Sequence, residues 1–369
     1  MIEILHILGS VDAGGVETLL TRFYLYTDKT KYHWNFIVPV DDDHKIGLCE
    51  LKLREMGCNI YYIPRKIPTF RKHLLGFCKI LSQAKFDIIH CHNDELAAIY
   101  LTIAKFYNIK IRIAHCHIAH RNNGIMFELI STVLKPIVKY VANSYFACSQ
   151  DAGEFMFGKK PFFILHNAFE LDKYKFSITS RTLLRKKLDV SDNIVIGCVG
   201  RFDYQKNHIF LINVFNEIVN LCQNAKLLLI GTGILEKEIR EKINSYNLND
   251  RVIFTGVVDN VEDYLCAMDY FVLPSRFEGL GIVYIESLAS DLPTFAPFET
   301  VPHEIALTPN MHFISNQENC AYWAKTIINT PINSNRKDVT PKIGNFGYEI
   351  QKESEQLSAK YDSLLSKFL

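Results

Sequence analysis

The stretch NIVIGCVGRF, residues 193–202, decides the fold that we predict for this chain. Its apolar run is continuous rather than alternating, and it ends at a glycine followed by charged residues. This pattern is typical of a strand that is buried on both faces of a parallel sheet. An earlier series of such runs, separated by helical segments, begins at residue 2, and the series starts again at residue 193. The repeated alternation predicts an α/β chain with two doubly wound parallel sheets.

Eleven runs are predicted as strands, six before the restart and five from it onwards. The first six are residues 2–8, 33–40, 59–64, 86–92, 111–117 and 140–149, and the other five are 193–202, 226–231, 251–256, 270–275 and 292–297. The polar segment 166–180 has no periodicity and is predicted to link two domains.

We therefore predict a Rossmann-like N-terminal domain at residues 1–170 and a second Rossmann-like domain at 171–345. Residues 346–369 carry apolar side chains at helical spacing and are predicted to form a C-terminal helix that packs across both domains. Open α/β sheets bind ligands at the carboxyl ends of their strands. We expect the two domains to face each other, with the ligand site at those ends.

Composition restricts the class of protein. The chain has 369 residues, 48% of them hydrophobic, and a net charge of +1, which gives no electrostatic footprint for nucleic acid. Its 10 cysteines are scattered, without a CxxC pair, which indicates reduced core residues rather than disulfides or a zinc site. The N-terminus MIEILHILGS lacks the features of a signal peptide, and no apolar run is long enough to span a bilayer. We expect a cytoplasmic protein.

One segment allows peripheral contact with an anionic membrane. In RKIPTFRKHLLGFCKIL, residues 65–81, basic residues lead into an apolar stretch that is compatible with a helix. Such a helix either lies on an anionic leaflet or covers the sheet as an ordinary amphipathic helix, and both interpretations remain open at this stage.

Charged residues follow two of the predicted strands of the second sheet. Arg201 and Lys206 come directly after Gly200, just before a predicted helix. An arginine fork and a lysine point charge at the mouth of a sheet suit a diphosphate, whereas isolated charges there would form only a solvated loop.

The stretch FEGLGIVYIES, residues 277–287, adds two carboxylates around a glycine turn. A helix predicted to begin near Gly281 offers free amides to a phosphate, from Gly281, Ile282 and Val283. Glu278 precedes the turn, and Glu286 lies one and a half turns into the helix, so that both could accept hydrogen bonds from sugar hydroxyls. Cations, amides and acceptors together fit a nucleotide sugar, whereas the two glutamates alone could be a cap and a surface residue.

These residues resemble the motifs of a known family. Over essentially its whole length the chain resembles the retaining glycosyltransferases of family 4, which have the GT-B fold. The last of the matching stretches contains the Glu-x7-Glu signature of that family, and residues 299–315 are similar to the bacterial enzymes that build capsular polysaccharides and exopolysaccharides. The four matching stretches are GGVE (14–17), GRFDYQKN (200–207), LLIGTGILEKEI (228–239) and LPSRFEGLGIVYIESLASDLP (273–293).

The resemblance implies a role for each matching residue. Arg201 and Lys206 would hold the diphosphate and stabilise its departure, Glu278 would bind the transferred sugar, and Glu286 would bind the ribose. His117 matches a family histidine near the donor sugar and the acceptor. For His90 and His115 we expect ordinary hydrogen-bonded histidines at strand ends. The remaining implied donor-binding residues are Gly15, Gly200, Val257, Val258, Gly279, Leu280, Gly281, Ile282 and Val283, with the base beside residues 255–258.

The sequence thus predicts an enzyme that transfers a sugar from a UDP-sugar to a glycan acceptor, lipid-linked, for bacterial surface polysaccharide. The alternatives are a UDP-sugar 2-epimerase of the same fold and a non-catalytic subunit that binds nucleotide sugars. No cofactor and no metal are expected for the leaving diphosphate, because cations and amides can neutralise it. The acidic run DDDH, residues 41–44, is predicted to be a solvated turn.

Overall fold

A computed structural model describes residues 1–9, 15–41, 44, 46–117 and 125–368, apart from the side chains of 66–68 and 125–129. The chain divides into two compact units. The first unit comprises Met1–Phe169 together with Gly347–Leu369, and the second comprises Glu170–Phe346. Of the predicted features, Gly14 and residues 42–43 of the DDDH run lie outside the described residues.

The first unit is built on a parallel sheet with helices from its crossover connections. Its strand order is β3-β2-β1-β4-β5-β6-β7, so the order reverses between β1 and β4. In the described part of this unit the strands are β1 (Ile2–Ile7), β2 (Tyr32–Val40), β3 (Asn59–Pro64), β4 (Ile88–Cys91), β5 (Ile111–Cys116), β6 (Ser144–Ala147) and β7 (Phe163–Ile164). Its helices before the linker are α1 (Gly15–Leu25), α2 (Leu48–Glu55), α3 (Lys66–Gln83), α4 (Ala97–Phe106), α5 (Ile125–Val141) and α6 (Gln150–Phe157).

The second unit repeats this plan. Its strand order is β10-β9-β8-β11-β12-β13, all parallel, with the reversal between β8 and β11. Its described strands are β8 (Ile194–Val199), β9 (Ala225–Ile230), β10 (Val252–Gly256), β11 (Tyr270–Val272), β12 (Thr294–Pro297) and β13 (Met311–Ile314). The helices are α7 (Ile178–Lys187), α8 (His208–Leu221), α9 (Glu236–Ser245), α10 (Val261–Ala267), α11 (Ile282–Ala289), α12 (Cys320–Asn329) and α13 (Thr340–Ile343).

The predicted α/β class with two parallel sheets is therefore confirmed, and each of the 11 predicted strand runs overlaps an observed strand. The strands β7 and β13 were not predicted. Both are short edge strands, of two and four residues, and their residues are mostly half-buried.

The last helix, α14 (Ile350–Phe368), belongs to the first unit. Its Leu357, Tyr361 and Leu364 are buried in the same apolar cluster as Trp34 and Ile4 of the sheet. The first unit is thus completed by a helix that follows the whole of the second unit in the sequence.

Helix α3 contains most of the segment 65–81. Phe77 and Leu81 are buried, whereas Phe70 and Leu75 are 47% and 59% exposed. One face of α3 therefore packs inside the unit as expected of an amphipathic helix, and two of the apolar side chains of the helix remain accessible. In the described part of the chain, no helix combines the length and the apolar character that crossing a membrane requires.

Candidate functional site

In the second unit, the predicted donor-binding residues follow the carboxyl ends of four neighbouring strands. Gly200 follows β8, Val257 follows β10, and Glu278 lies in the loop after β11, while the loop after β9 begins with Gly231. Because β10, β9, β8 and β11 are adjacent in the sheet, these loops lie side by side at one edge. This edge includes the reversal of strand order between β8 and β11, where open α/β sheets bind ligands.

Lys206 and Glu278 form a close ion pair at this edge. The Nζ atom of Lys206 lies 2.6 Å from Oε1 of Glu278, and the two side chains are only 15% and 5% exposed. The hydroxyl of Ser275 donates to the same Oε1 at 2.6 Å, and Nε2 of Gln205 donates to Oε2 at 3.2 Å. Three donors therefore fix the carboxylate, which leaves about one of its roughly four lone-pair positions for a ligand.

Lys206 is held in place as well, and its ammonium has further N–H donors that Glu278 does not use. Its backbone amide donates to Oδ1 of Asp203 at 3.1 Å, which closes the turn between β8 and α8. A lysine ammonium has three N–H donors, so two remain for a further anion after the bond to Glu278. Lys206 can thus hold Glu278 and a phosphate at the same time.

Arg201 stands apart from this pair. Its side chain is 69% exposed, and its Nε lies 3.6 Å from Oδ2 of Asp203. The structure therefore brings Lys206 and Glu278 into contact, while Arg201 projects from the same loop into solvent. An exposed guanidinium is accessible to an incoming diphosphate without breaking a buried interaction.

The loop after Glu278 leads into α11 through a left-handed residue. Gly281 is the N-cap of α11 with φ 78°, and a Cβ at this position would lie 2.6 Å from the ring of Tyr284. Only glycine suits this conformation without strain. The turn places the first amides of α11, including those of Ile282 and Val283, shortly after Glu278 in the sequence. These amides have no acceptor within the helix. Among the neighbouring predicted residues, Leu280 and Val283 are buried, and Gly279 and Ile282 are half-buried.

Glu286 is also held in place. Its Oε1 accepts a hydrogen bond of 2.9 Å from the hydroxyl of Tyr174, and its side chain is buried in the second unit. Tyr174 lies 112 residues away in the segment that enters this unit. The phenol thus helps to orient this buried carboxylate.

The loops after β8, β9 and β10 approach each other closely. Gly231 has φ 132°, and a Cβ on it would lie 2.1 Å from the carbonyl oxygen of Gly200. The amide of Gly231 donates to the carbonyl of Gly256 at 2.9 Å. Next to this contact Val257 is 70% exposed and Val258 is half-buried, so an apolar surface is available there for a flat ring.

The two predicted residues of the first unit have different surroundings. Gly15 is the exposed first residue of α1, and an added Cβ there would meet nothing within 4 Å among the described residues. His117 directly follows β5, and its amide donates to Oδ1 of Asp94 at 2.9 Å. Its Nε2 lies 2.9 Å from Nδ1 of His92. Burial lowers the pKa of His117 to about 3, so the imidazole is neutral at physiological pH.

Sequence reasoning missed the residues that orient the site. Ser275 and Gln205 hold Glu278, Tyr174 holds Glu286, and His92 holds His117. Gln205 and Ser275 lie within three residues of a predicted site residue, and this proximity was the available signal. Tyr174 and His92 are distant in sequence, and only the fold shows them.

Comparisons with known proteins agree with this arrangement. The family described as glycosyl transferases group 1 matches residues 193–329. The glycosyltransferase EpsF of Bacillus subtilis strain 168 is 26% identical over 98% of this chain and 96% of its own length. The capsular polysaccharide biosynthesis glycosyltransferase CapH of Staphylococcus aureus is 25% identical over 78% of this chain and 79% of its own. The structure of Anabaena Alr3699/HepE in complex with UDP and glucose has a TM-score of 0.78 at 20% identity, over 98% of this chain and all of that one.

The group 1 match covers the β8–α12 region that contains Lys206, Glu278 and Glu286, and the likeness to EpsF extends over nearly all of both units. The likeness to HepE supports the same two-sheet fold. The chain is therefore a glycosyltransferase with the GT-B fold, and its residues 193–329 are similar to the glycosyl transferases group 1.

Proposed function

We propose that this enzyme transfers a sugar from a UDP-sugar to a lipid-linked glycan acceptor during the synthesis of a surface polysaccharide, with retention of the anomeric configuration. One observation carries the proposal: a buried Lys206–Glu278 pair lies at the carboxyl edge of the second sheet, one turn before the N-terminus of α11. CapH, a relative over most of the chain, is named for capsular polysaccharide biosynthesis, and HepE was crystallised with UDP and glucose.

The donor would be bound through its charged and polar groups. Lys206 and Arg201 would neutralise the diphosphate, assisted by the first amides of α11. The oxygen of Glu278 that Gln205 contacts would accept from a hydroxyl of the transferred sugar. Glu286, oriented by Tyr174, would accept from the ribose, and the base would lie against Val257 and Val258. Because fixed cations and amides face the diphosphate, we propose that its departure needs no metal.

Retention is the outcome that this site favours. In the proposed step the bond from the anomeric carbon to the diphosphate oxygen breaks first, and the electron pair stays on the diphosphate. The acceptor hydroxyl then forms its bond on the same face, and its proton passes to the departing phosphate oxygen. A carboxylate that already accepts three hydrogen bonds is a weak nucleophile, so we assign Glu278 to binding the sugar rather than to a covalent intermediate.

We propose that His117 acts as a neutral group. Since its Nε2 is in contact with His92, Nδ1 is the ring nitrogen that it can offer to a hydroxyl. A neutral imidazole donates or accepts one hydrogen bond without bringing a charge to its ligand. An added Cβ on Gly15 would meet nothing within 4 Å among the described residues, so the backbone at the start of α1 would be accessible to a ligand.

For the lipid-linked acceptor we propose peripheral membrane contact through α3. Its exposed Phe70 and Leu75 would enter the interface, and the basic residues Arg71 and Lys72 between them would meet anionic head groups. Flotation with liposomes tests this contact. More bound protein on vesicles with acidic lipid than on neutral ones is expected, and equal flotation would exclude a role for charge. A Phe70→Ser, Leu75→Ser variant should lose the binding, because it removes two accessible apolar side chains from α3.

Thermal unfolding with a panel of UDP-sugars and GDP-sugars tests the donor. A UDP-sugar should raise the melting temperature by mass action, whereas the matching GDP-sugar should not. The stabilising donor is then incubated with lipid-linked acceptors, and the anomeric configuration of the product is read by NMR. An inverted product would refute the proposed mechanism, and stabilisation by GDP-sugars alone would refute the donor. Epimerised UDP-sugar formed without any acceptor would favour the 2-epimerase instead.

A further inference from the structure

Five histidines meet in the first unit where the order of its strands reverses. His6 lies on β1, His90 on β4 and His115 on β5, and His92 and His117 follow the last two of these strands. Since β1, β4 and β5 are adjacent, their rings form one stack, with centroids of neighbouring rings 4.0 to 5.3 Å apart. His6, His90, His92 and His115 are buried, and His117 is half-buried at the carboxyl edge.

The rings contact one another through their nitrogens. Nδ1 of His6 lies 3.0 Å from Nε2 of His92, whose Nδ1 lies 2.9 Å from Nε2 of His117. In a second chain, Nε2 of His90 lies 3.1 Å from Nδ1 of His115. Nδ1 of His90 lies 2.8 Å from the hydroxyl of Tyr361 on α14.

Three buried ring nitrogens have no partner among the described residues: Nε2 of His6, Nε2 of His115 and Nδ1 of His117. A buried polar atom left unpaired costs about 1–3 kcal/mol. Three such atoms within one cluster are therefore a large penalty for a purely structural stack, and they indicate that the cluster serves a ligand.

We propose that His92, His115 and His117 form a binding site for one divalent transition-metal ion of the kind that prefers nitrogen, such as Zn²⁺ or Co²⁺. One ring nitrogen from each lies within 4.8 Å of the others. Three protein ligands with an open fourth position are a common arrangement for zinc in proteins. The triad offers only imidazoles, which suit zinc, cobalt, nickel or copper rather than magnesium or calcium.

The surrounding hydrogen bonds already suit such a site. Metal-bound histidines usually donate their other ring N–H to a second group, which fixes the ring and its tautomer. His92 can donate from Nε2 to His6, and His115 can donate from Nδ1 to His90, which in turn donates to Tyr361. This assignment leaves lone pairs on Nδ1 of His92 and Nε2 of His115, and the second of these is one of the unpaired atoms.

His117 supplies the third ligand and the route of entry. Its Nε2 is already beside Nδ1 of His92, and a small separation of the two atoms would admit an ion between them. The alternative triad of His6, His90 and His92 is buried on all sides, so we favour the triad that reaches the edge of the sheet.

This inference does not rest on the proposed reaction, although His117 is common to both. With the metal on Nε2, Nδ1 of His117 remains the nitrogen available to a substrate. The metal is inferred at the first sheet, and the leaving diphosphate is still neutralised by groups of the second unit. Loss of metal binding and loss of donor binding can therefore be measured separately.

The test uses the full chain, dialysed against a chelator and titrated with CoCl₂. Visible ligand-field absorption of cobalt should appear and saturate at one equivalent, and added ZnSO₄ should abolish it by displacement. In parallel, ZnSO₄ should raise the melting temperature of the chelator-treated protein, whereas MgCl₂ should not. The absence of both the absorption and the zinc-dependent shift in the wild-type protein would overturn the proposal.

Three variants assign the site. His115→Gln should lose the cobalt absorption, and Tyr361→Phe should weaken binding by about 10–100-fold, because it removes the outermost hydrogen-bond partner. The matched control is His73→Gln, a buried histidine of the same unit that contacts the carbonyl of Pro64 and the hydroxyl of Tyr100. The control should bind as the wild type does. Full cobalt binding by folded His115→Gln protein would refute the assignment, and the wild-type titration decides the matter if that variant does not fold.

Discussion

Lys206→Met isolates the charge of the proposed diphosphate-binding lysine. The stem of Lys206 packs closely on Gly200, since a Cβ on that glycine would lie 3.3 Å from Cγ of the lysine. Methionine keeps an unbranched stem in this space and removes only the ammonium, which in the structure lies 2.6 Å from Oε1 of Glu278. The substitution therefore tests electrostatics rather than packing.

Two effects of different size are expected. The loss of one preorganised donor to the departing diphosphate should lower the turnover number about 10²–10³-fold, which is roughly 2.7–4 kcal/mol of barrier. Glu278 keeps Ser275 and Gln205 but loses its cation, so the free energy of unfolding should fall by about 1.5–3 kcal/mol. The effect on the reaction barrier should be the larger. Ser275 and Gln205 still bind Glu278 in the folded variant, whereas no other group takes the place of the ammonium at the departing diphosphate.

The assay measures initial rates of sugar transfer and urea unfolding on the same preparations. Lys226→Met is the matched control, because Lys226 lies in the same unit but donates to the carbonyl of Asp250. The double variant Lys206→Met, Glu278→Gln removes both charges and should recover stability without recovering turnover. Near-wild-type turnover in folded Lys206→Met protein, or recovery of turnover in the double variant, would refute the role in diphosphate binding.

Three further predictions follow from particular contacts. Gly231→Ala should abolish donor binding in a calorimetric titration with UDP, because the new Cβ would collide with the carbonyl of Gly200 and displace both loops; unchanged affinity would show that the loops do not meet the donor. Tyr174→Phe should weaken UDP binding by about 0.5–1.5 kcal/mol with little change in turnover at saturation, since it removes one hydrogen bond to Glu286; a fall in turnover alone would contradict this role. Burial lowers the pKa of His6 to about 3 from 6.5, so the unfolded chain binds a proton that the folded chain does not between these values. Stability should therefore fall by about 2 kcal/mol for this residue between pH 7 and pH 5, and urea titrations of His6→Phe should show a shallower dependence on pH than the wild type.

The sequence was sufficient for the fold where strands were buried on both faces. The segments 227–230 and 270–273 are apolar throughout because helices cover both sides of a parallel sheet. Strand β13 was not found in this way, because Met311–Ile314 is short, contains His312 and is mostly half-buried. The edge strands β3 and β10 were predicted from longer runs, since they have six and five residues.

For the candidate site, local spacing predicted some contacts and not others. Lys206 and Glu278 were both recognised, and the structure places them in contact because they follow β8 and β11, which are neighbours in the sheet. The exposure of Arg201 was not predictable, because sequence does not show which of two nearby cations is turned inward. The partner of Glu286 was not predictable either, since Tyr174 reaches it from another segment.

The sequence did not reveal the histidine cluster of the first unit either, because its members come from separate segments of the chain. Each of His90 and His115, taken in its own strand, is typical of an ordinary strand-end residue. Only the strand order β1-β4-β5 brings five rings from three strands together. The register pairs His6 with His90, and it places His115 two positions beyond Ile113, the residue of β5 that pairs with His90. This register is a property of the sheet and not of any single run.

The placement of α14 in the first unit separates the order of synthesis from the order of folding. The side chains that Leu357, Tyr361 and Leu364 cover belong to strands made among the first residues of the chain. While the protein emerges from the ribosome, part of the interior of the first unit stays uncovered until α14 has been made. The second unit has no such dependence and can fold before α14 is made. A stop codon before α14 would therefore damage the unit that was translated earliest, and the ribosome-bound intermediate without α14 is the stage at which a chaperone would be needed most.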